Sequence, residues 1–485
     1  MQVRPLHFRS ATELARLLRA RKTTATALLE ACLAQYERHN GRVNAVVVTD
    51  LVRARKAASA ADRRLRAGQP KGPLDGVPMT AKESFDWSGT PSTWGDPRFK
   101  DNIASVDAAA ITRLTAAGAI IYGKTNVPLM LADWQSYNSI YGTTSNPWDL
   151  TRSPGGSSGG SAAALASGMT ALEIGSDIGA SIRNPAHYCG VYGHKPTYGL
   201  VPYQGHLLPG MVQPGDITVA GPLARSARDL ATMMKVLVGP TGPDARGWSV
   251  KLPPARQRSL RDFRVAVMMT DSQSEVDLPV QDLLGKLTQF LGKRVKALST
   301  TARPGFSTKE AMDIYIGLLR SAGSRRQSDA EFAANAQRVA ASDPQDDSYL
   351  VKMLRAYVLH HRDWLKYNER RHQMRLLWDS FFDDWDVMIC PVAASAAFPH
   401  NQTGERHERT IMVNGRPVAT TDQLFWAGYS GCFYLPSTVA PMGLTPDGLP
   451  AGVQIIARQY GDFTSIRFAE LLESQYGGFV APPGY

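Results

Sequence analysis

Two clusters of glycine and serine are the part of this sequence whose residue types and spacing could do chemistry. The first occupies residues 153–161 and the second residues 175–183. Glycine adopts backbone conformations that other residues avoid, so such clusters can turn several N–H groups towards one point. Convergent N–H groups stabilise the negative oxygen that forms when an amide carbonyl is attacked. The stretch Ile178, Gly179, Ala180 and Ser181 is therefore our candidate oxyanion-binding loop.

The first cluster has three other interpretations. A phosphate-binding loop would need a lysine directly after its last glycine, and none follows Gly160. The pattern Gly156-x-Ser158-x-Gly160 matches the nucleophile elbow of α/β-hydrolases, which would make Ser158 the nucleophile of an esterase. The glycines could also form no more than tight turns beside a helix of small residues. The second cluster weakens this last interpretation, while Ser158 remains a rival nucleophile.

Motifs on both sides of the clusters resemble the amidase signature family, and the resemblance covers most of the chain. They lie at residues 76–83, 123–126, 146–147, 193–199, 221–225, 386–391 and 448–454. The resemblance implies an α/β fold, in which a large mixed β-sheet is covered by helices on both faces. It also implies cleavage of amide bonds through an acyl-enzyme, with Ser181 as nucleophile, Lys82 as base and Ser157 as a relay serine in a cis peptide.

These roles make chemical sense. A serine hydroxyl is a weak nucleophile until a base takes its proton, and neither cluster contains a histidine. Lysine can be that base only when neutral, so burial must lower the pKa of Lys82 from its usual value of about 10.4. We therefore expect Lys82 to bond to Ser157 rather than to a carboxylate, and Glu83 to point elsewhere.

One position departs from the family pattern. A second glycine commonly precedes the nucleophile, whereas this chain has Ala180, which resists a positive φ. We expect Asp177 and Arg183 to brace the loop, and His187 and His194 to be structural.

Substrate specificity should come from the segments that flank the clusters. The candidates are residues 130–135, which include Leu131, the loop 203–211, and the aromatic residues Phe425, Trp426 and Tyr429. Together they predict a partly apolar cleft with a few polar contacts. The expected partner is a small-molecule amide or carbamate (urethane), with ester hydrolysis as a side activity.

The formal net charge of +11 raises the question of other partners. It weakly favours an alternative function, the glutaminase-type subunit of a tRNA-dependent amidotransferase. The residue pair Lys82-Glu83 argues against this function, because we associate the pair Lys-Asp at these positions with the amidotransferase branch. The basic residues are spread along the chain, and we interpret the trio Arg320, Arg325 and Arg326 as a solvated helix face. No nucleic-acid partner is expected, and the sequence is compatible with a homodimer.

The four cysteines lie far apart and form no metal-binding or redox motif, so we expect buried, reduced thiols, no metal site and no cofactor. No run of 18 apolar residues and no apolar N-terminal segment occurs, which predicts a cytoplasmic protein without a membrane span.

The elements that must position the clusters follow from periodicity. Strands are predicted at 77–81, 119–122, 385–391 and 452–456, and helices at 25–36, 51–67, 108–117, 161–167 and 463–473. Ser10 and Glu13 form a capping pattern that predicts a further helix at the start. We expect one domain over residues 1–485, with a helical N-terminal layer at 1–70 and a mainly helical peripheral or cap region at about 285–375.

Overall fold

The computed structural model describes residues 4–485 of the chain. Their strands are β1 (Val46–Thr49), β2 (Pro78–Lys82), β3 (Ile120–Thr125), β4 (Tyr137–Asn138), β5 (Gly142–Thr143), β6 (Leu172–Asp177), β7 (Tyr192–Lys195), β8 (Val219–Ala224), β9 (Arg264–Val267), β10 (Ala297–Ser299), β11 (Val387–Pro391), β12 (Thr410–Val413), β13 (Arg416–Ala419), β14 (Ser437–Leu444) and β15 (Pro450–Ile456). Their α-helices are α1 (Ala11–Arg19), α2 (Ala25–Val43), α3 (Leu51–Arg66), α4 (Ala109–Ala116), α5 (Gly159–Ala166), α6 (Arg183–Cys189), α7 (Ala227–Leu237), α8 (Asp244–Gly247), α9 (Leu278–Gly292), α10 (Thr308–Ser324), α11 (Asp329–Ala340), α12 (Tyr349–Tyr357), α13 (His361–Asp384), α14 (Leu424–Gly431) and α15 (Asp462–Gln475).

A mixed sheet organises these elements. Within residues 4–485 it has eleven strands, in the order β1-β3-β2-β6-β8-β7-β14-β15-β11-β9-β10. Strand β2 runs parallel to both of its neighbours, β3 and β6, whereas β6 is antiparallel to β8. Helices pack along the sheet, α5 against β6 and β2, α6 against β15 and α7 against β8. The predicted α/β fold is confirmed.

Most of the predicted elements are present, with shifted ends. Ser10 does cap α1, because its hydroxyl accepts the N–H of Glu13 at 3.2 Å. Helix α2 continues to Val43 and ends there because Asn44 adopts the left-handed conformation, with φ of 52°. Strand β2 includes Lys82 as its last residue, so the backbone of that lysine is fixed by the sheet.

Several strands have no counterpart among the predictions. Strands β6, β7, β8 and β14 lie at the centre of the sheet, and β10 interrupts the region 285–375, which is otherwise helical. Strand β6 is fully buried although it contains Glu173, Ser176 and Asp177. Buried polar residues conceal the apolar pattern by which a central strand is recognised.

Among residues 4–485, every helix is too short or too polar to span a lipid bilayer. The four cysteines Cys32, Cys189, Cys390 and Cys432 are buried and unpaired.

The close approach of α5 to β3 gives a test of this packing. A Cβ on Gly160 would lie 2.4 Å from the backbone nitrogen of Asn126, whereas a Cβ on Gly41, in α2, would meet nothing within 4 Å. We expect Gly160→Ala to lower the free energy of unfolding by about 1–3 kcal/mol. The matched change Gly41→Ala should raise it by about 0.5–1 kcal/mol, since alanine is the better helix former. Urea unfolding of both variants measures the two values, and equal values would contradict the packing.

Candidate active site

The carboxyl ends of two neighbouring parallel strands bring the candidate residues together. Strand β2 ends at Lys82 and strand β6 ends at Asp177, directly before the loop that contains Ser181. Their register pairs Ala81 with Ile174, so the side chain of Lys82 reaches Ser176 on the next strand. Ligand sites in open α/β sheets are commonly found at such strand ends.

Lys82 is completely buried and its amine contacts hydroxyl groups. Nζ donates to Ser157 Oγ at 2.6 Å and to Ser176 Oγ at 3.0 Å, and no carboxylate within residues 4–485 forms a salt bridge with it. Burial lowers the pKa of Lys82 to about 7, and the more distant charges of Asp177 and Glu173 offset this only in part. A substantial fraction of the amine is therefore neutral near pH 7.

Ser157 follows Gly156, a position at which no residue other than glycine fits. The peptide bond between Gly156 and Ser157 is cis. A Cβ on Gly156 would lie 2.2 Å from the carbonyl oxygen of Asp133, so any side chain there would clash with backbone. The Gly156 N–H donates to Asn184 Oδ1 at 3.2 Å. These contacts fix the backbone from which the Ser157 hydroxyl reaches Lys82.

Ser181 and Ser157 line the same cavity, which has a volume of about 610 Å³ and therefore suits a small-molecule ligand. Ser181 is 5% exposed and its carbonyl accepts the N–H of Ser158 at 3.1 Å. The hydroxyl groups of Ser157 and Ser181 do not hydrogen-bond to each other. Such contacts are often loose in an unliganded enzyme and close when substrate binds.

Asp177 and Arg183 form a completely buried ion pair that braces the loop. Arg183 Nη2 donates to Asp177 Oδ1 at 2.9 Å and Nε donates to Oδ2 at 3.0 Å. Burial alone would raise the pKa of Asp177, but the adjacent guanidinium of Arg183 outweighs it and holds that pKa below its usual value. The carboxylate also accepts the N–H groups of Ala180 at 2.9 Å and Ile182 at 3.1 Å, so both ends of the loop are fixed.

Two carbonyl groups of the loop are held by specific donors. The Ile178 carbonyl accepts the hydroxyl of Tyr315 at 3.1 Å, and the Ala180 carbonyl accepts the N–H of Asn184 at 2.6 Å. In a trans peptide, each N–H points away from the preceding carbonyl. The N–H groups of Gly179 and Ser181 therefore point away from these contacts, and both residues line the cavity.

Ala180 differs from the other residues of the loop. It has φ of 66°, is completely buried and does not line the cavity. Because its N–H already donates to Asp177, our prediction that Ala180 supplies an oxyanion donor is corrected: this residue shapes the loop. Among residues 4–485, the N–H groups of Ile178, Gly179 and Ser181 have no protein acceptor, and these three are the available donors.

The rival nucleophile Ser158 is poorly placed. It is completely buried, is absent from the cavity wall, and donates its hydroxyl to the Ser176 carbonyl at 3.4 Å. A nucleophile must reach the substrate, so the geometry does not support the esterase that would use Ser158.

The neighbours expected to be structural do have structural contacts. Glu83 accepts the N–H groups of Thr93 and Trp94 at 2.6 and 3.0 Å, and so points away from Lys82. His187 accepts the Gly452 N–H at 2.8 Å, and His194 contacts Asp462 at 3.1 Å. All of these side chains are buried.

The cavity wall matches the sequence predictions only in part. Leu131 lies in it, with φ of 57°, together with Tyr203 and other residues of the loop 203–211. The aromatic residues Phe425, Trp426 and Tyr429 do not line it, because they pack in the core.

The sequence analysis missed other residues of the wall. They are Trp94, Ser176 and the arginines Arg98, Arg338 and Arg406; the predicted solvated trio Arg320, Arg325 and Arg326 also belongs to the wall. Arg325 and Arg326 are exposed and lie between α10 and α11, whereas Arg320 is half-buried on α10, and all three line this cavity.

A buried carboxyl group lies beside this site. Glu173, which pairs with Thr80 across β6 and β2, is completely buried, and neither of its carboxyl oxygens has a hydrogen-bond partner within residues 4–485. Burial raises the pKa of Glu173 to about 8, and the nearby hydroxyl groups offset this only in part. Its carboxyl group is therefore mostly neutral at pH 7.

A model of the amidase family matches residues 27–465 of the chain. The chain belongs to the amidase family. It is 32% identical to a glutamyl-tRNA(Gln) amidotransferase subunit of Anaeromyxobacter sp. (strain K), over 96% of this chain and 95% of that protein. It is also 32% identical to an acylamidase of Rhodococcus erythropolis, over 97% and 96% of the two chains.

The fold of this amidase-family chain is that of solved family members. The crystal structure of a bacterial aryl acylamidase belonging to the amidase signature enzymes superposes with a TM-score of 0.81 at 26% identity, over 98% of each chain. The resemblance found in the sequence is thus confirmed, and amide hydrolysis is the chemistry that family membership supports.

The neutral state of Glu173 can be tested by unfolding. Because the folded protein holds this proton up to about pH 8 and the unfolded chain loses it near pH 4.5, the stabilisation is complete below pH 4.5 and is lost as pH rises towards 8. Glu173→Gln cannot titrate. We expect the difference in free energy of unfolding, variant minus wild type, to increase by up to about 1.4 kcal/mol per pH unit between pH 5 and 8. Urea unfolding at each pH measures this, and a constant difference would contradict a raised pKa.

Proposed function

We propose that the protein hydrolyses a small-molecule amide or carbamate through an acyl-enzyme on Ser181, with Lys82 as base and Ser157 as proton relay. The observation that carries the proposal is the 2.6 Å contact between Lys82 Nζ and Ser157 Oγ, made by a buried amine with no carboxylate partner among residues 4–485. A lysine with its ordinary pKa would be protonated and could not accept a proton. Here the lowered pKa supplies the neutral amine.

In the first half of the reaction, Ser181 Oγ attacks the carbonyl carbon of the substrate. Its proton passes to Ser157, which gives its own proton to the neutral amine of Lys82. The carbonyl oxygen becomes negative and accepts the available N–H groups of Ile178, Gly179 and Ser181. Preorganised donors of this kind contribute about 3–4 kcal/mol each to stabilising such a transition state.

In the second half, the proton returns through Ser157 to the leaving nitrogen, the C–N bond breaks and the amine departs. Water then attacks the ester on Ser181, with Lys82 and Ser157 accepting and returning its proton in the same way. A carbamate carbonyl presents the same oxygen to the same donors, which is why we include carbamates. Every step uses side chains or backbone N–H groups that line or adjoin one cavity.

A second candidate is a glutaminase component of a tRNA-dependent amidotransferase. It is favoured by the 32% identity to the glutamyl-tRNA(Gln) amidotransferase subunit over nearly the whole of both chains. A component of that kind works with partner chains. Purification of this chain from its own cells with partner chains attached, together with release of ammonia from glutamine, would favour this candidate over an independent amidase.

Substitutions of the proposed groups test their roles. We expect Ser181→Ala to abolish the acyl-enzyme detected by mass spectrometry, and Lys82→Met to lower kcat/KM by at least about 10³-fold. Ser157→Ala should lower it by about 10²–10⁴-fold, as is usual for loss of proton transfer. The control Ser158→Ala removes an equally buried hydroxyl that does not line the cavity, and should retain the acyl-enzyme. Loss of the acyl-enzyme in Ser158→Ala, with retention in Ser181→Ala, would instead favour the rival nucleophile.

The pH dependence tests the base. The neutral amine is the active form, so kcat/KM for an uncharged anilide should rise about tenfold per pH unit below pH 7 and level off above it. A stopped assay of aniline release between pH 5 and 9 gives this profile. A flat profile from pH 6 to 9 would exclude Lys82 as the base.

A further inference from the structure

Five arginine side chains in the cavity wall have no acidic partner among residues 4–485. They are Arg320, Arg325, Arg326, Arg338 and Arg406, here called the arginine cluster. A sixth arginine of the wall, Arg98, differs because it is paired with Asp96 at 2.6 Å. The cluster comes from helices α10 and α11, the turn between them, and the distant segment that contains Arg406.

Contacts with the protein use few of the cluster's donors. Arg325 Nη1 donates to the Gln213 carbonyl at 2.8 Å, Arg326 Nη1 to the Met130 carbonyl at 3.1 Å, and Arg406 Nη1 to the Ala132 carbonyl at 2.5 Å. A guanidinium has five N–H donors, so most of them remain available.

The remaining two members of the cluster also retain donors. Arg320 donates to the hydroxyl of Tyr349, and its buried Nε has no partner within residues 4–485. Arg338 is exposed on α11 and makes no hydrogen bond to another of these residues, so all of its donors are available to a ligand.

Acidic residues of the wall do not balance this charge. Asp133 is neutralised by Arg409, whose Nη1 lies 2.7 Å from its carboxylate. Glu331 accepts the N–H and the hydroxyl of Ser328 at 2.7 and 2.8 Å, and caps the start of α11. The wall thus carries an excess of positive charge in a concave space, where it attracts anions more strongly than on an open surface.

The cluster is connected to the reacting end of the cavity. Arg326 holds the carbonyl of Met130, the residue before Leu131, and both residues line the wall. Helix α10 carries Arg320 and also Tyr315, whose hydroxyl holds the Ile178 carbonyl. A ligand bound by the cluster is therefore in the same cavity as Ser181 and the oxyanion loop.

We propose that the substrate is an amide or carbamate that carries a carboxylate, and that the arginine cluster binds this group while Ser181 attacks the carbonyl. The proposal rests on the function proposed above and narrows it to a substrate class. Planar guanidinium groups with several free N–H donors match the two oxygens of a carboxylate, and such paired bonds are strong and directional.

Matched pairs of anilides test the substrate class. In the first pair, an N-(4-nitrophenyl)amide with a terminal carboxylate on its acyl chain is compared with the N-(4-nitrophenyl)amide of an uncharged acyl chain of equal length. In the second pair, 4-acetamidobenzoate is compared with acetanilide. For at least one pair, we expect kcat/KM of the carboxylated member to be at least tenfold higher at low ionic strength. The preference should shrink in 1 M NaCl, because the Debye length falls from ~30 Å at 0.01 M to ~3 Å.

Variants locate the group responsible. Arg338→Gln and Arg326→Gln should each lower the ratio of kcat/KM between the carboxylated and uncharged members by about tenfold, mainly through KM. Arg338→Gln is the sharper test because Arg338 has no hydrogen bond to lose among the described residues. The control Arg63→Gln removes an exposed arginine on α3, outside the cavity, and should leave the ratio unchanged.

Covalent labelling of Ser181 by an uncharged fluorophosphonate separates the two proposals. Absence of labelling overturns the proposed function, and the carboxylate inference with it. If Ser181 is labelled, but the carboxylated amides neither react faster nor slow the labelling more than their uncharged counterparts, only the inference is overturned. An unchanged ratio in both arginine variants also overturns it.

Discussion

The amine of Lys82 lies in the interior beside hydroxyl groups, and the site depends on its having no carboxylate to pair with among residues 4–485. The carboxyl groups of Asp177 and Glu173 act on its pKa and Glu83 follows it in sequence, and each of the three is paired, hydrogen-bonded elsewhere or neutral. Asp177 is paired with Arg183, Glu83 accepts backbone N–H groups, and Glu173 has a raised pKa that favours its neutral form. If any of them paired with the amine, the ammonium form would be stabilised and Lys82 could not act as the proposed base.

The same ion pair that occupies Asp177 also joins distant parts of the chain. Arg183 Nη1 donates to the Ala427 carbonyl, to Ser430 Oγ and to Gln454 Oε1, at 3.0, 2.9 and 2.6 Å. The oxyanion loop is thereby fixed to helix α14 and strand β15 as well as to its own strand. An oxyanion site must be rigid before the substrate arrives, and this network of side-chain and backbone contacts supports the rigidity that the proposed site needs.

Local features of the site could be predicted from the sequence, whereas features made by distant contacts could not. The two clusters of glycine and serine were visible in the sequence. The roles of Ser157 and Ser181 came from the resemblance to the amidase signature family, because the residues alone left Ser158 as a rival. Strand β6 escaped prediction because Glu173 and its polar neighbours are buried in it. The trio Arg320, Arg325 and Arg326 was interpreted as a solvated face, because only the folded chain shows that these arginines line the same cavity as Ser181.

Ser157, Ser181 and Lys82 lie within one hundred consecutive residues, whereas the whole arginine cluster comes from positions beyond 319. Bond cleavage and the proposed recognition of a carboxylate are therefore encoded in separate stretches of sequence, although Leu131 and Tyr203 in the wall come from the earlier part of the chain. Replacements in the later stretch can change which molecules enter while leaving the proton relay intact. Tyr315 limits this freedom because it also holds the oxyanion loop, so a descendant with a new substrate must keep that hydroxyl or supply another donor.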